Sequence, residues 1–313
     1  MPSIRNVAYV LGALSVASNV AAGPLFENLF PPHGYPTDPY PTGNPDSPTT
    51  VTITATVTQT ASGCSTATPS PSDPPALQCD PYGYLIQRAV LYRVDLTTGD
   101  AEQVKAGLGD GSAINAIGYN PLDNLLYGHQ SSTHSLIRIG GDGSSSTVQL
   151  SGEYGAPANS MIGDIDIRGH YWVGHRGKEW AEIDLAPGSL TYGRTLRTGT
   201  ADPLGIAIAD WVYIPSAGEY LYAVGGNSTT GGASMIRFDM ITHEWEEFAN
   251  YPDMPVNVFG AMYGMNNGTL YGSDNRSGQI WLFSLEGDDP VLVSQGPVSG
   301  SNDGARCVLN LLE

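Results

Sequence analysis

Hydrophobic and polar residues alternate in short runs that recur along the chain. The clearest run is residues 91–99, LYRVDLTTG, where a two-residue alternation ends in Thr-Gly. This period predicts a β-strand followed by a turn. Four looser copies follow: SLIRIGGDG, WAEIDLAPG, MIRFDMITH and IWLFSLEGD. Counted from Val94, their equivalent positions are Ile139, Ile183, Phe238 and Phe283, a mean step of about 47 residues, which is typical of the blade repeat of a propeller.

A second repeat lies between these copies. Its first instance is residues 114–128, INAIGYNPLDNLLYG, and the others are IGDIDIRGHYWVG, IADWVYIPSAGEYLYAV and FGAMYGMNNGTLYG. Each combines a strand of small residues, a turn rich in Asn, Gly or Pro, and a second strand. One unit therefore contains four strands, as a propeller blade does.

The two repeats are offset in a way that predicts closure of a ring. The third-strand motif occurs five times, whereas the inner-strand motif occurs four times inside the chain and once more at residues 302–308, NDGARCV. We therefore predict an all-β fold, a five-bladed β-propeller in which the C-terminal strand completes the first blade. Closure leaves no exposed inner edge. The alternative is an open β-sandwich whose segments resemble one another by chance.

The N-terminal region has a different composition. Residues 1–22 resemble a signal peptide, with a charged start, an apolar run and a Val-Ala-Ala cleavage site. Residues 23–77 are rich in Pro, Ser and Thr, which predicts a disordered, O-glycosylated stalk. In the alternative, residues 49–60 form an extra strand. The propeller domain is expected over residues 78–313.

The charge of the chain restricts its partners. The net charge is −18, with 13 Lys and Arg against 31 Asp and Glu. Nucleic acids and anionic membranes require basic patches, so neither is an expected partner, and the apolar run in residues 1–22 is too short for membrane insertion. We expect a secreted, extracellular monomer, associated in one interpretation with the cell wall. Three N-glycosylation sequons, at Asn227, Asn267 and Asn275, agree with secretion.

Three cysteines are available for pairing in an oxidising compartment, Cys64, Cys79 and Cys307. Cys79 precedes the first blade strand and Cys307 lies in the predicted closing strand. A Cys79–Cys307 disulfide would therefore fasten the ring shut. The alternative, Cys64–Cys79, would close only a short local loop.

The motifs CDPYGYLIQ, LYRVDLTTG, INAIGYNPLDNLLYG and SNDGARC together resemble a propeller-like domain family of unknown function found in fungal secreted and bacterial surface proteins. The resemblance covers about residues 79–308. It implies the fold and an extracellular location. It implies no activity, because the family has no established catalytic residues.

Polar residues at repeated positions predict a binding site at one end of the central channel. The starts of the inner strands and the corners between second and third strands supply the candidate ligand-binding residues, which are Asn115, Asp164, Asp210, Asp303, His129, His175, Arg176 and Asp274. Carboxylates on neighbouring blades could act as acid and base on a glycoside or bind Ca²⁺. Alternatively, they cap turns and strands.

Signatures of enzymes and metal sites are otherwise absent from the sequence: it has no HExxH, CxxC, nucleophile elbow or phosphate-binding loop. We therefore expect no cofactor and no metal. The hypothesis is a secreted binding or adhesion module for glycans or cell-wall material. The alternatives are a propeller glycoside hydrolase or lyase that uses the channel carboxylates, and a structural surface protein.

Overall fold

The computed structural model describes residues 73–312, and these form a five-bladed β-propeller. The predicted signal peptide, most of the predicted stalk, residues 49–60 and Cys64 lie outside the described residues. Residues 73–77, which the sequence assigns to the stalk, lie against the second blade. Asp73 forms an ion pair with Arg138, and Leu77 is buried and donates its N–H to the carbonyl of Asn124.

The described residues contain 21 strands and one short 3-10 helix, Pro215–Ala217. In chain order, the first seven strands are β1 (Gly83–Gln87), β2 (Val90–Val94), β3 (Ala101–Ala106), β4 (Ile114–Asn120), β5 (Leu125–Gln130), β6 (Ser135–Ile139) and β7 (Ser145–Thr147). The next seven are β8 (Ile162–Ile165), β9 (His170–His175), β10 (Glu179–Asp184), β11 (Thr195–Thr200), β12 (Ile206–Ala207), β13 (Val212–Tyr213) and β14 (Tyr220–Asn227). The last seven are β15 (Ala233–Asp239), β16 (Trp245–Tyr251), β17 (Phe259–Met265), β18 (Thr269–Asp274), β19 (Gln279–Ser284), β20 (Val291–Gln295) and β21 (Asn302–Ala305).

The strands form five antiparallel sheets. From the axis outwards, blade I is β21-β1-β2-β3, blade II β4-β5-β6-β7, blade III β8-β9-β10-β11, blade IV β12/β13-β14-β15-β16 and blade V β17-β18-β19-β20. The inner strand of each blade contacts the inner strands of both neighbours, and β21 lies between β17 and β4. The ring is therefore closed, and the predicted five blades and the closing C-terminal strand are confirmed.

The recurrent Asp-containing motif ends the third strand of several blades. In blade I the carboxylate of Asp95 accepts hydrogen bonds from the backbone N–H groups of Thr97 and Thr98. Asp184 and Asp239 bind the N–H two residues later in the same way. This Asx turn satisfies backbone donors where the strand stops, which explains why the motif recurs with the blade.

The core lies between neighbouring blades, where the two sheet faces meet. Between blades III and IV it is aromatic, with Trp172, Trp211 and Phe238 fully buried. Near the axis the strands come closer together. A Cβ on Gly163 would lie 2.4 Å from the carbonyl oxygen of Ala116 in blade II, so this inner strand needs a glycine.

A disulfide joins the two ends of the ring. Cys79, before β1, is bonded to Cys307, after β21, across a sequence separation of 228 residues. The predicted pairing is confirmed, and a disulfide indicates an oxidising compartment. In the described part of the chain, no helix has the length and hydropathy needed to span a bilayer.

Candidate functional site

The predicted site residues fall into separate groups in the structure. Asp164, Asp210 and Asp303 lie on or beside inner strands. His175 and Arg176 lie at the exposed corner between β9 and β10. The structure therefore does not place all eight predicted residues in one constellation. Within the described residues, no group of three or more His, Cys, Asp or Glu side chains has the arrangement needed to hold a metal ion.

The three inner aspartates, which we call the axial carboxylates, each connect one blade to the next. The carboxylate of Asp303 accepts hydrogen bonds from the N–H groups of Ala116 and Ile117 in blade II. The same contact joins Asp164 to the N–H of Tyr213 at 2.7 Å, and Asp210 to the N–H of Met262 at 2.7 Å. Each carboxylate thus satisfies a backbone donor on an inner strand that has no further strand beside it.

The axial carboxylates are close enough to influence one another. Asp210 and Asp303 are fully buried, and burial raises the pKa of both carboxyls well above the usual range. The negative charge of Asp303 raises the pKa of Asp210 further, and that of Asp164 acts on both. Asp164 is partly exposed, and burial of its carboxyl raises its pKa to about 7.

The remaining buried candidates are held by local contacts. His129 is fully buried on β5, with Nδ1 3.1 Å from the hydroxyl of Tyr154 and Nε2 3.2 Å from the carbonyl of Ala158. Burial lowers its pKa to about 4, so the ring is neutral at neutral pH. Asp274 accepts hydrogen bonds from the N–H groups of Val258 and Ser277, which fastens a corner of blade V to the loop before it. Within the described residues, Asn115 has a buried Oδ1 without a partner.

One face of the propeller, which we call the upper face, is formed by the corners between the second and third strands and by the loops between blades. Hydrogen bonds connect these two sets of segments: Ile114 donates to Arg88, Ala201 to Lys178 and Ser299 to Asn275. His175 and Arg176 lie on this face. Arg88, which is exposed between β1 and β2, also lies on this face. It was not predicted as a site residue because none of the repeated sequence motifs includes it.

The upper face carries cations that no acidic group neutralises. Arg88, Arg176, Lys178 and Arg276 are exposed, and within residues 73–312 none of them forms an ion pair. By contrast, Arg168, Arg197 and Arg237, elsewhere on the molecule, are paired with carboxylates. Six exposed cations form no ion pair within residues 73–312. Four of them lie at the corners of blades I, III and V, and the other two are Lys105 and Arg194.

The corner backbone is unusual in three blades. Arg88, His134 and Arg176 adopt left-handed conformations, with φ of 59°, 47° and 52°. In blade V the position equivalent to His134, directly before the third strand, is occupied by Gly278, which is also left-handed. Left-handed backbone is unfavourable for residues with a Cβ, and such conformations concentrate at functional sites.

A pocket of about 590 Å³ opens beside the corner of blade III. Its polar lining is formed by His175, Arg176, Lys178 and Asp202, and its apolar lining includes Ile206 and Val258. His175 donates from Nδ1 to the carbonyl of Asn159 at 2.6 Å, which fixes the orientation of the ring. The pocket therefore combines positive charge, an oriented imidazole and apolar surface on the face where the sequence predicts binding.

Residues 108–309 match the family described as Repeat of unknown function (DUF6923). The match covers more than half of the chain, so the chain belongs to this family of unknown function. No curated protein matches the sequence significantly.

Several solved structures have a similar fold. They include a nidogen/laminin complex (12% identity, TM-score 0.45, covering 70% of this chain and 80% of that one). A streptogramin B lyase is similar at 11% identity and a TM-score of 0.40, over 71% and 76% of the chains. A virginiamycin B lyase from Staphylococcus aureus has 15% identity and a TM-score of 0.36, over 69% and 65%. Likenesses this distant carry no conclusion about function.

Proposed function

We propose that the protein is a secreted binding or adhesion module that holds glycans or cell-wall material on its upper face. The observation that carries the proposal is the set of unpaired cations at the upper-face corners, beside a 590 Å³ pocket lined by His175, Arg176 and Lys178. In a chain of net charge −18, cations left without acidic partners are available to a ligand. The net charge of −18 disfavours polyanions in general, but these local cations fit a polymer whose sugars carry carboxylate or phosphate groups.

Backbone strain supports this assignment. Arg88 and Arg176 keep a left-handed backbone where glycine would be less strained. Loops and corners on a rigid sheet framework are also the usual location of binding residues.

A glycan array that includes acidic polysaccharides tests the proposal on the secreted full chain. We expect binding that weakens as salt is raised, because exposed charge pairs are screened. The double substitution Arg176→Ala with Lys178→Ala should weaken it about tenfold or more, the loss expected from two charge-assisted contacts. The control is Arg194→Ala, which removes an exposed, unpaired cation from the connection between β10 and β11, at the opposite end of those strands.

The same experiment separates the alternatives. Cleavage of a bound polymer that is lost in Asp164→Asn would favour the glycoside hydrolase or lyase. Asp164 is the axial aspartate with a pKa near neutrality, although its carboxyl group is buried. Equal losses in the Arg194→Ala control and the double variant would contradict the upper face as the site. No binding to any glycan would favour a structural surface protein.

The secretion signal at residues 1–22 and a stalk remain part of the proposal, with the stalk limited to residues 23–72 because residues 73–77 lie against blade II. A module carried on an extended, glycosylated segment would be held away from a surface.

A further inference from the structure

A second pocket, of about 250 Å³, lies on the rim between blades IV and V. On one side it is lined by the end of β16 and the loop after it, Asn250 to Pro255. On the other side it is lined by Trp281 on β19 and by Asp289 and Pro290 before β20. Prolines on both sides stiffen the walls, because the pyrrolidine ring fixes the backbone. This rim pocket shares no lining residue with the pocket beside His175, Arg176 and Lys178.

Two of the aromatic residues that line the rim pocket carry buried polar atoms without a partner among the described residues. Tyr251 is 8% exposed, and within the described residues its buried hydroxyl has no hydrogen-bond partner. The buried indole N–H of Trp281 also lacks one there. Asp289 lines the same pocket, and burial and then its charge raise the pKa of Tyr251 to about 12. Buried polar atoms without partners are rare and call for an explanation.

We propose that the rim pocket binds one uncharged sugar residue, a subsite separate from the pocket lined by His175, Arg176 and Lys178. The inference rests on the proposed function for its class of ligand. A hexose presents hydroxyls that can accept from the indole N–H, exchange a hydrogen bond with the Tyr251 hydroxyl and donate to Asp289. Its C–H face can pack on the indole ring, and the volume suits one ring rather than a chain.

A competing ligand is excluded by the same groups. A quaternary ammonium would suit the two aromatic rings and the carboxylates, Asp253 and Asp289. It has no lone pair to accept a hydrogen bond, however, so it would leave the Trp281 N–H without a partner. An anionic sugar would be disfavoured by the two carboxylates. The uncharged hydroxylated ring is the class that satisfies every group.

Titration of the secreted full chain with methyl glycosides of neutral hexoses, followed by calorimetry or ligand-observed NMR, tests the inference. We expect weak but saturable binding that is insensitive to salt. Tyr251→Phe and Trp281→Phe should each weaken it about tenfold, as the loss of one hydrogen bond predicts. Tyr251→Phe should leave the melting temperature unchanged or raise it, because the deleted hydroxyl has no partner in the protein.

The control is Tyr127→Phe in blade II, whose hydroxyl donates to Asp123 at 2.6 Å. This substitution should lower the melting temperature and leave hexoside binding intact. A fall in melting temperature for Tyr251→Phe, without loss of binding, would assign the hydroxyl a structural role and overturn the inference. Binding of tetramethylammonium in place of the hexosides, or no hexoside binding at tens of millimolar, would also overturn it.

The two proposals fail separately. Hexoside binding that survives Arg176→Ala with Lys178→Ala, while no acidic polymer binds the wild type, would retain the rim subsite and reject the upper-face function. Loss of polymer binding in that double variant, together with absence of hexoside binding to the wild type, would retain the upper-face function and reject the rim subsite.

Discussion

Asn227, Asn267 and Asn275 share the sequence requirement for N-glycosylation, but their side chains have different surroundings. Asn227 is buried, donates from its amide nitrogen to Ser234 and accepts from the N–H of Thr229. Asn275 packs against Gly260, and its buried Oδ1 has no partner among the described residues. Asn267 is exposed in the turn between β17 and β18, and its Oδ1 accepts from the N–H of Thr269.

We therefore predict that only Asn267 carries an N-glycan in the folded, secreted protein. A glycan on Asn227 would require the buried amide nitrogen to leave its hydrogen bond. Peptide mapping by mass spectrometry after enzymatic deglycosylation should show conversion of Asn267 to aspartate and leave Asn227 and Asn275 unchanged. Asn267→Gln should remove the mass of one glycan. Occupancy at Asn227 would show that this part of blade IV opens before it is glycosylated.

Single residues also mark the limit of what the sequence predicts. The carboxylates of Asp164, Asp210 and Asp303 were found because they follow the repeat. The hydrogen bonds from these carboxylates to the next blade could not be predicted from the sequence, because they depend on the offset between adjacent inner strands. Tyr251 in blade IV and Trp281 in blade V line the same pocket because the outer strands of the two blades are neighbours in space. No repeated spacing in the sequence connects the two residues.

At the scale of the element, the inner strands are stabilised by side chains rather than by a further strand. Asp164 on β8 accepts from the N–H of Tyr213 on β13 and so joins blades III and IV. Its pKa is raised to about 7 from an unfolded value near 4. A carboxyl with a raised folded pKa stabilises the protein below the unfolded pKa, and this contribution is lost as pH rises through the folded pKa.

The prediction is that Asp164→Asn removes a pH-dependent part of the stability. The difference in melting temperature between wild type and variant should be largest near pH 4 and should shrink between about pH 4 and 7. The wild-type curve alone is a poor test, because His129 has the opposite slope: its pKa is lowered to about 4, so its contribution is lost as pH falls from about 6.5.

Asp95→Asn is the matched control for this titration. Asp95 has a lowered pKa because it accepts hydrogen bonds from the Thr97 side chain and from the backbone N–H groups of Thr97 and Thr98. Its contribution is present above the unfolded pKa and is lost at lower pH, so the wild-type advantage over Asp95→Asn should shrink on acidification. A wild-type to Asp164→Asn difference that does not change between pH 4 and 8 would contradict the assignment.

The element pattern was predictable from sequence because alternation and turn residues repeat with each blade. The run LYRVDLTTG contains all of β2 except its first residue, Val90, together with the Asx turn at Asp95, and the same turn recurs at Asp184 and Asp239. The corners were less predictable. Arg88 and Arg176 occupy a left-handed position that glycine usually fills, so composition gave no sign that Arg88 is a corner residue.

At the scale of the whole molecule, the Cys79–Cys307 disulfide ties the start of blade I to the segment that follows its inner strand. A bond closing a loop of 228 residues restricts the unfolded chain, a contribution of about 5 kcal/mol on chain-entropy grounds. Since both ends already pair through β1 and β21, the bond acts mainly on the unfolded state.

We predict that Cys79→Ala with Cys307→Ala folds to the same propeller but melts at a markedly lower temperature. Replacing both residues avoids an unpaired thiol. The measurement is thermal or urea unfolding, and wild type treated with a reductant should approach the curve of the double variant. An unchanged melting temperature would show that the strand pairing of β1 with β21 alone holds the ring closed.

The closing strand β21 has a consequence for how the protein is made. Blade I begins with β1 at Gly83, yet its inner strand is not synthesised until residue 305. While the chain emerges, β1 presents an unpaired edge, and an open strand edge is a template for pairing with other chains. Blades II to V can form in order on the ribosome or during translocation, but blade I cannot be completed until β21 has been synthesised. We expect ribosome-bound chains that stop before residue 302 to need chaperone protection, and oxidation of Cys79 to follow, rather than guide, the last step of folding.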